Sequence, residues 1–261
     1  MSGPIEIGPW QLLLGLVFIL AAGGASLVHG LGLGRDLFWG TARTFAQLLV
    51  LGYVLVFIFK SGQAWLVLAF FTMMIFFAVR IIRGRIKERD VAIGIPVFVS
   101  MFCSYFLVAA LVVGVIVGAR PWWRPEYFLP LAGMVVGNSM TALAISLERL
   151  FSDLRAKQNE VEMKLCLGAT AREASREIVA EAVRAGMIPS INSMMGVGVV
   201  FIPGKTSGQV LAGADPMLAV RYQIVVMLML VGSTALGSLL VVHLIAGRCF
   251  GKGLRLVLKP K

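Results

Sequence analysis

Apolar runs of about twenty residues, broken by short polar interruptions, dominate the chain. Seven windows reach the length needed to cross about 30 Å of hydrocarbon: residues 10–31, 38–59, 63–82, 93–118, 127–147, 187–203 and 217–246. The sixth is the shortest. Between residues 148 and 186 the pattern changes: Leu147, Leu150, Phe151 and Leu154 recur at helical spacing among charges, and Val161 and Leu165 continue the stripe. This spacing predicts that the fifth span runs on past the membrane as an amphipathic helix. Gly168 offers the left-handed conformation that ends a helix, and Thr170 with Glu173 matches a capping box for the next one. That next helix sets Ala174, Ile178 and Val183 on one side, and Pro189 marks the expected bend back toward the bilayer. Asp215-Pro216 supplies an N-cap followed by proline at the first helical position, so the last span is expected to start there.

With 261 residues, 59% of them hydrophobic and 14% charged, and a mean hydropathy of +0.90, the chain has more apolar surface than one water-soluble core can hide. The predicted fold class is all-α: a polytopic membrane helix bundle of about seven transmembrane helices, residues 1–261 forming one transmembrane domain. The net charge of +11 does not point to nucleic acid, because the basic residues sit in short clusters between apolar runs. The cluster from Arg80 to Asp90 and the basic tail after Arg248 belong on the cytosolic side by the positive-inside rule. Alternation then puts the amino terminus outside, the carboxyl terminus in the cytosol and the 148–186 segment in the cytosol, as expected for a multi-pass protein of a cell inner or plasma membrane. The residues before Trp10 include Glu6 and no Lys or Arg, which argues for a retained first span rather than a signal peptide. Three scattered cysteines, Cys103, Cys166 and Cys249, read as free thiols.

The outer connections are short. Trp122 and Trp123, between Pro121 and Pro125, suit a membrane interface. Small residues four apart, Gly114 with Gly118, Gly133 with Gly137 and Ser233 with Gly237, allow close helix contact, within one bundle or at a seam between subunits. Polar groups inside spans are the candidates for a translocation pathway: Arg43, Gln47, Asn138, Ser139, Asn192, Ser193, Arg221 and Gln223. Two other uses compete. Arg221 is placed to snorkel to the outer interface, and Asn192 and Ser193 to bond between helices.

Catalytic and metal chemistry is sparse. No Ser/His/Asp set, HExxH or acidic pair appears, so the chain is not expected to be an enzyme. His29 and His243, each near the inner end of a span, offer at most a shared weak site, and Met194, Met195, Met227 and Met229 are softer ligands than iron favours. Gly204-Lys205-Thr206 has the ending of a phosphate loop without the spacing to Gly198, so no nucleotide or other cofactor is assigned to the chain itself.

Seven basic and seven acidic residues lie between Glu148 and Arg184, so the segment is close to neutral. Interleaved charges beside an apolar stripe suit a protein groove better than a lipid anchor of one sign. Here the sequence resembles a known family. Glu162, Leu167, Gly168 and Ala169 match the E-x-x-x-x-L-G-A core of the cytoplasmic coupling segment of ABC-transporter permeases. L-G-A-T-A-R-E-A, the run Ala180 to Met195 and the run Pro203 to Met227 resemble the FetB/YbbM permease family. The resemblance implies a permease domain working with a separate cytoplasmic ABC ATPase, which carries the ATP and magnesium. Glu160, Glu162, Leu167, Gly168, Ala169 and Thr170 would form the coupling contact. One such segment per chain implies a homodimer of permeases on two ATPase subunits. Bacterial members are associated with iron export, and plant relatives with aluminium tolerance and nucleotide-sugar transport. A secondary transporter independent of ATP is the rival class; it would favour paired intramembrane carboxylates, and only Glu148, at a span end, is available.

Overall fold

A computed structural model describes residues 8–30, 32–86, 88, 91–251 and 256. The described residues are helical throughout apart from turns and two isolated bridges, Val197 with Phe201 and Phe250 with Leu256. They divide into two compact units, residues 1–62 with 211–214, and residues 63–210 with 215–261.

The first unit is a helical hairpin. Helices α1 (Pro9–Leu14) and α2 (Leu16–Val28) together make one apolar stretch of 20 residues, and α3 (Gly34–Ser61) is the return. Buried Ser26 closes the turn by accepting a hydrogen bond from the Leu33 backbone N–H at 3.0 Å. Gly62, at φ 60°, ends α3 in the left-handed conformation.

The second unit holds the packed core. Its helices are α4 (Ala64–Arg85), α5 (Gly94–Leu111) with a π turn at Val112–Ile116, α6 (Pro125–Ala156), α7 (Gln158–Cys166), α8 (Ala171–Ala174), α9 (Arg176–Gly196), α10 (Gly204–Leu211) and α11 (Pro216–Arg248). Phe71 of α4 is fully buried against Phe102, Phe106 and Phe128, with ring centroids 5.6–6.4 Å apart. Leu147, Leu150, Phe151 and Leu154 are all buried, so α6 extends beyond the fifth window to Ala156 as the spacing predicts. Asp215 caps α11 through its carboxylate, which accepts from the Leu218 N–H at 3.0 Å, with Pro216 at the first position.

Contacts along α5 fix the direction of its neighbours. Before its start, Glu88 pairs with Arg155 near the end of α6, and the Ala92 carbonyl accepts from Arg248 at the end of α11. In its middle, Tyr105 meets Gly237 of α11; beyond its end, Trp122 packs on Phe128 near the start of α6. Both α6 and α11 are therefore antiparallel to α5 and parallel to each other. The chain must return between them, and α9 makes that return: Gly186 lies against Ala142 and Ser146, and Ser190 bonds to Asn138.

This arrangement corrects the sixth window. Among the described residues, six helical stretches are long and apolar enough to span a membrane: Pro9–Val28, Gly34–Ser61, Ala64–Arg85, Gly94–Ile116, Pro125–Ala156 and Pro216–Arg248. Residues 187–203 are not one helix; they comprise the last part of α9 and then a turn in which Gly198 takes φ 84°. Nor does Pro189 mark a bend out of a cytosolic helix. It lies inside α9, which runs on to Gly196. A proline forfeits one backbone bond, and packing against neighbouring helices makes this tolerable within a bundle.

Candidate coupling segment and intramembrane polar seam

The segment after α6 is built from local signals that reinforce one another. Inside α7, Lys164 donates to Glu160 at 2.8 Å and Gln158 to Glu162 at 2.9 Å, each one helical turn apart. The Lys164 bond and charge hold the Glu160 carboxyl below the usual range and raise the ammonium in return. At the end of α7 the Gly168 N–H bonds to the Leu165 carbonyl and the Ala169 N–H to the Lys164 carbonyl, both at 3.0 Å, with Gly168 at φ 92°. Those two bonds satisfy carbonyls that α7 would leave orphaned, and the left-handed glycine they need explains the residue.

The capping box forms as expected. Thr170 Oγ1 accepts from the Glu173 N–H at 3.3 Å, while the Glu173 carboxylate accepts from the Thr170 N–H at 2.8 Å. The backbone N–H and then the threonine hydroxyl lower the Glu173 pKa. The helix it starts is only the four-residue α8; Ser175 separates it from α9. Leu167 stands at the tip, 81% exposed, beside exposed Cys166 and Gly168. A leucine so exposed outside the spans, on a turn whose backbone N–H groups are all bonded, is a preformed apolar knob. Glu160, Glu162 and Ala169 are half-buried.

A second constellation lies inside the bundle. Asn138 of α6 donates through Nδ2 to Ser190 Oγ of α9 at 3.0 Å and to Thr234 Oγ1 of α11 at 3.2 Å. Thr234 gives its own proton to the Leu230 carbonyl, so Ser139, at 3.3 Å, is the donor in its contact with Thr234. One amide thus ties three helices together in a neutral seam of hydroxyls. Each such bond contributes about 0.6 kcal/mol in a membrane.

Of the candidates drawn from sequence, Asn138 and Ser139 enter this seam. Gln223 is buried too, but nearer the start of α11, where it accepts from Thr206 of α10 at 3.1 Å. Lys205 lies over the Tyr222 ring at 5.5 Å, and burial lowers its pKa. The Gly204-Lys205-Thr206 triplet is therefore a helix that packs on α11. Asn192 is exposed and Ser193 half-buried; among the described residues neither side chain forms the interhelical hydrogen bond expected of it. Arg221 is exposed near the start of α11. Arg43 and Gln47 lie on α3 of the first unit, both exposed. His29 and His243 each bond their own helix, to the Ala25 and Leu239 carbonyls at 2.9 and 2.8 Å.

Ser190, Thr234 and Tyr105 were not singled out from the sequence, and Thr206 only as the end of the Gly204-Lys205-Thr206 triplet. A signal for Ser190 exists: Ala182, Gly186 and Ser190 are small residues four apart, and all are buried. They face the matching row Asn138, Ala142 and Ser146 on α6.

Residues 9–250 match the Uncharacterised protein family (UPF0014). The chain belongs to the UPF0014 family. Its relatives within and around that family include "UPF0014 membrane protein slr1647" of Synechocystis sp. (strain ATCC 27184 / PCC 6803 / Kazusa), 35% identical over 213 residues, 82% of each chain. "Probable iron export permease protein FetB" of Escherichia coli (strain K12) is 31% identical over 234 residues, 90% of this chain and 89% of that one. "Protein ALUMINUM SENSITIVE 3" of Arabidopsis thaliana is 33% identical over 242 residues, 92% and 87%. No solved structure matches the chain. As a UPF0014 member with six apolar helical stretches of spanning length, it is a multi-pass membrane protein.

Proposed function

We propose that this chain is the membrane permease subunit of an ABC transporter, driven through the 148–186 segment by a separate cytoplasmic ATPase that binds and hydrolyses the ATP. The observation that carries this reading is the exposed Leu167–Thr170 turn, whose backbone N–H groups are all bonded. It joins α7, which follows directly on α6, to α8 and α9, and α6 and α9 are the helices bonded through Asn138 and Ser190. A push on the tip is transmitted to the polar seam by two rigid arms. Because a chain offers one such tip, two copies would sit on an ATPase pair, with the tips and the carboxyl termini in the cytosol and the protein in the cell inner or plasma membrane.

The cargo assigned first is a metal, specifically iron for export, on the strength of the FetB relative. The seam of Asn138, Ser139, Ser190 and Thr234 is neutral, which supports a second cargo class, a small polar solute such as a nucleotide sugar. ATPase stimulation by a panel of metals and sugar nucleotides, measured on the reconstituted complex, separates the two. Gly168→Pro or Glu162→Lys is expected to leave the protein inserted and to abolish ATP-driven transport. Normal transport by both variants would refute the docking assignment, and transport by the chain alone without nucleotide would refute the ABC reading.

A further inference from the structure

We propose that the groove between the α8–α9 segment and the end of α11 binds the phosphate headgroup of an anionic phospholipid. The cavity has a volume of about 790 Å³, and its walls include Arg172, Arg176 and His243 beside the apolar Val179, Ala246 and Phe250. This site is separate from the Leu167 tip and does not depend on the transport reading.

Charge is the first argument. Among the described residues neither Arg172 nor Arg176 forms an ion pair, although every other arginine of the segment from Arg149 to Arg184 does. The carboxylate on the groove wall, Glu173, is taken up by the N–H and hydroxyl of Thr170. His243 donates Nδ1–H to the Leu239 carbonyl, so its Nε2 faces a ligand as an acceptor in the neutral ring and as a phosphate donor only in the imidazolium form. Two unpaired guanidinium groups in one cavity are donors matched to phosphate oxygens.

Depth is the second. His243 lies 22 residues after Arg221 on α11, and at 1.5 Å per residue this places them about 33 Å apart along the axis. The exposed large residues between them are apolar: Ile224, Leu228, Leu236, Leu239 and Leu240. That interval matches the hydrocarbon thickness of about 30 Å, so Arg221 and His243 mark opposite edges of the apolar slab. The groove therefore sits at the level of lipid phosphates. Val179, Ala246 and Phe250 supply walls for the glycerol and upper acyl chain, which a free phosphate would not need. A lipid held there would clamp α8–α9 to the end of α11.

Native mass spectrometry of the intact, purified chain with added phosphatidylglycerol or phosphatidylcholine tests this. Phosphatidylglycerol is expected to bind and to raise the melting temperature, with phosphatidylcholine at least tenfold weaker. Arg172→Gln with Arg176→Gln should weaken phosphatidylglycerol binding tenfold or more, whereas Arg184→Gln, an exposed arginine of α9 paired with Glu181, should leave it unchanged. If the double variant fails to fold, His243→Leu, at an exposed position, should show the same loss in smaller measure, about threefold. Equal binding of the two lipids, equal weakening by Arg184→Gln, or equal affinity for glycerol phosphate would overturn the proposal. So would a double variant that keeps phosphatidylglycerol and loses only a protein partner.

Discussion

Gly186 is where the packing of α9 on α6 can be tested most severely. A Cβ added there would overlap Ser146 Oγ and would lie 2.6 Å from the Ala142 carbonyl oxygen. The serine can rotate; the carbonyl belongs to the α6 backbone and cannot. Ordinary contact for a Cβ begins at 3.4 Å, so α9 must retreat by about 0.8 Å. Overpacking of this kind costs about 1–3 kcal/mol. The same retreat stretches the 3.0 Å bond from Asn138 to Ser190 beyond useful range, a loss of about 0.6 kcal/mol. Against this, replacing a helical glycine by alanine returns up to about 1 kcal/mol of propensity. Gly186→Ala is therefore expected to destabilise by about 1–3 kcal/mol, which for a chain of this size lowers Tm by roughly 2–6 °C. Buried Cys249 is a built-in reporter: in a Cys103→Ser, Cys166→Ser background, a thiol-reactive dye follows its exposure on heating. Gly137→Ala is the matched control, because a Cβ on that α6 glycine meets nothing within 4 Å. If Gly186→Ala melts with the wild type, the register of α9 against α6 is wrong, and with it the return path between α6 and α11.

Two further outcomes follow from the 148–186 segment and the end of α11. Thr170→Ala removes both hydroxyl bonds of the capping box and should cost about 1 kcal/mol locally. The Glu173 pKa is lowered in the fold, so the box contributes fully above the ordinary carboxylate pKa and is lost as pH falls through the depressed value. Side-chain carbon shifts of Glu173 should titrate upward in the variant, and coincident titration curves would remove the box from the account. At neutral pH a water-soluble maleimide should label exposed Cys166 quickly and Cys249 only after denaturation, since burial and then the charge of Glu88 push the Cys249 thiol up to about 12; fast labelling of Cys249 in the native protein would contradict its burial.

The local grammar of the chain was legible from sequence wherever a signal is satisfied by its near neighbours. The left-handed Gly168, the Thr170–Glu173 box, the Asp215 cap and the extension of α6 through Leu154 all involve partners within a few residues, so their chemistry is written in consecutive letters. Hydropathy alone likewise determined that the chain is a helical membrane protein, because lipid allows few other ways to satisfy the backbone. What only the tertiary structure decided is which polar groups meet. Asn138, Ser190 and Thr234 are separated by 52 and 96 positions and converge because α9 runs back along α6 while α11 runs parallel to it. Hydropathy gave that path only in part, as the sixth window from residue 187: the earlier turns of α9 carry Glu177, Glu181 and Arg184, which are exposed while Ile178, Ala182 and Gly186 are buried. Averaging along the sequence mixes those two faces, and only packing separates them.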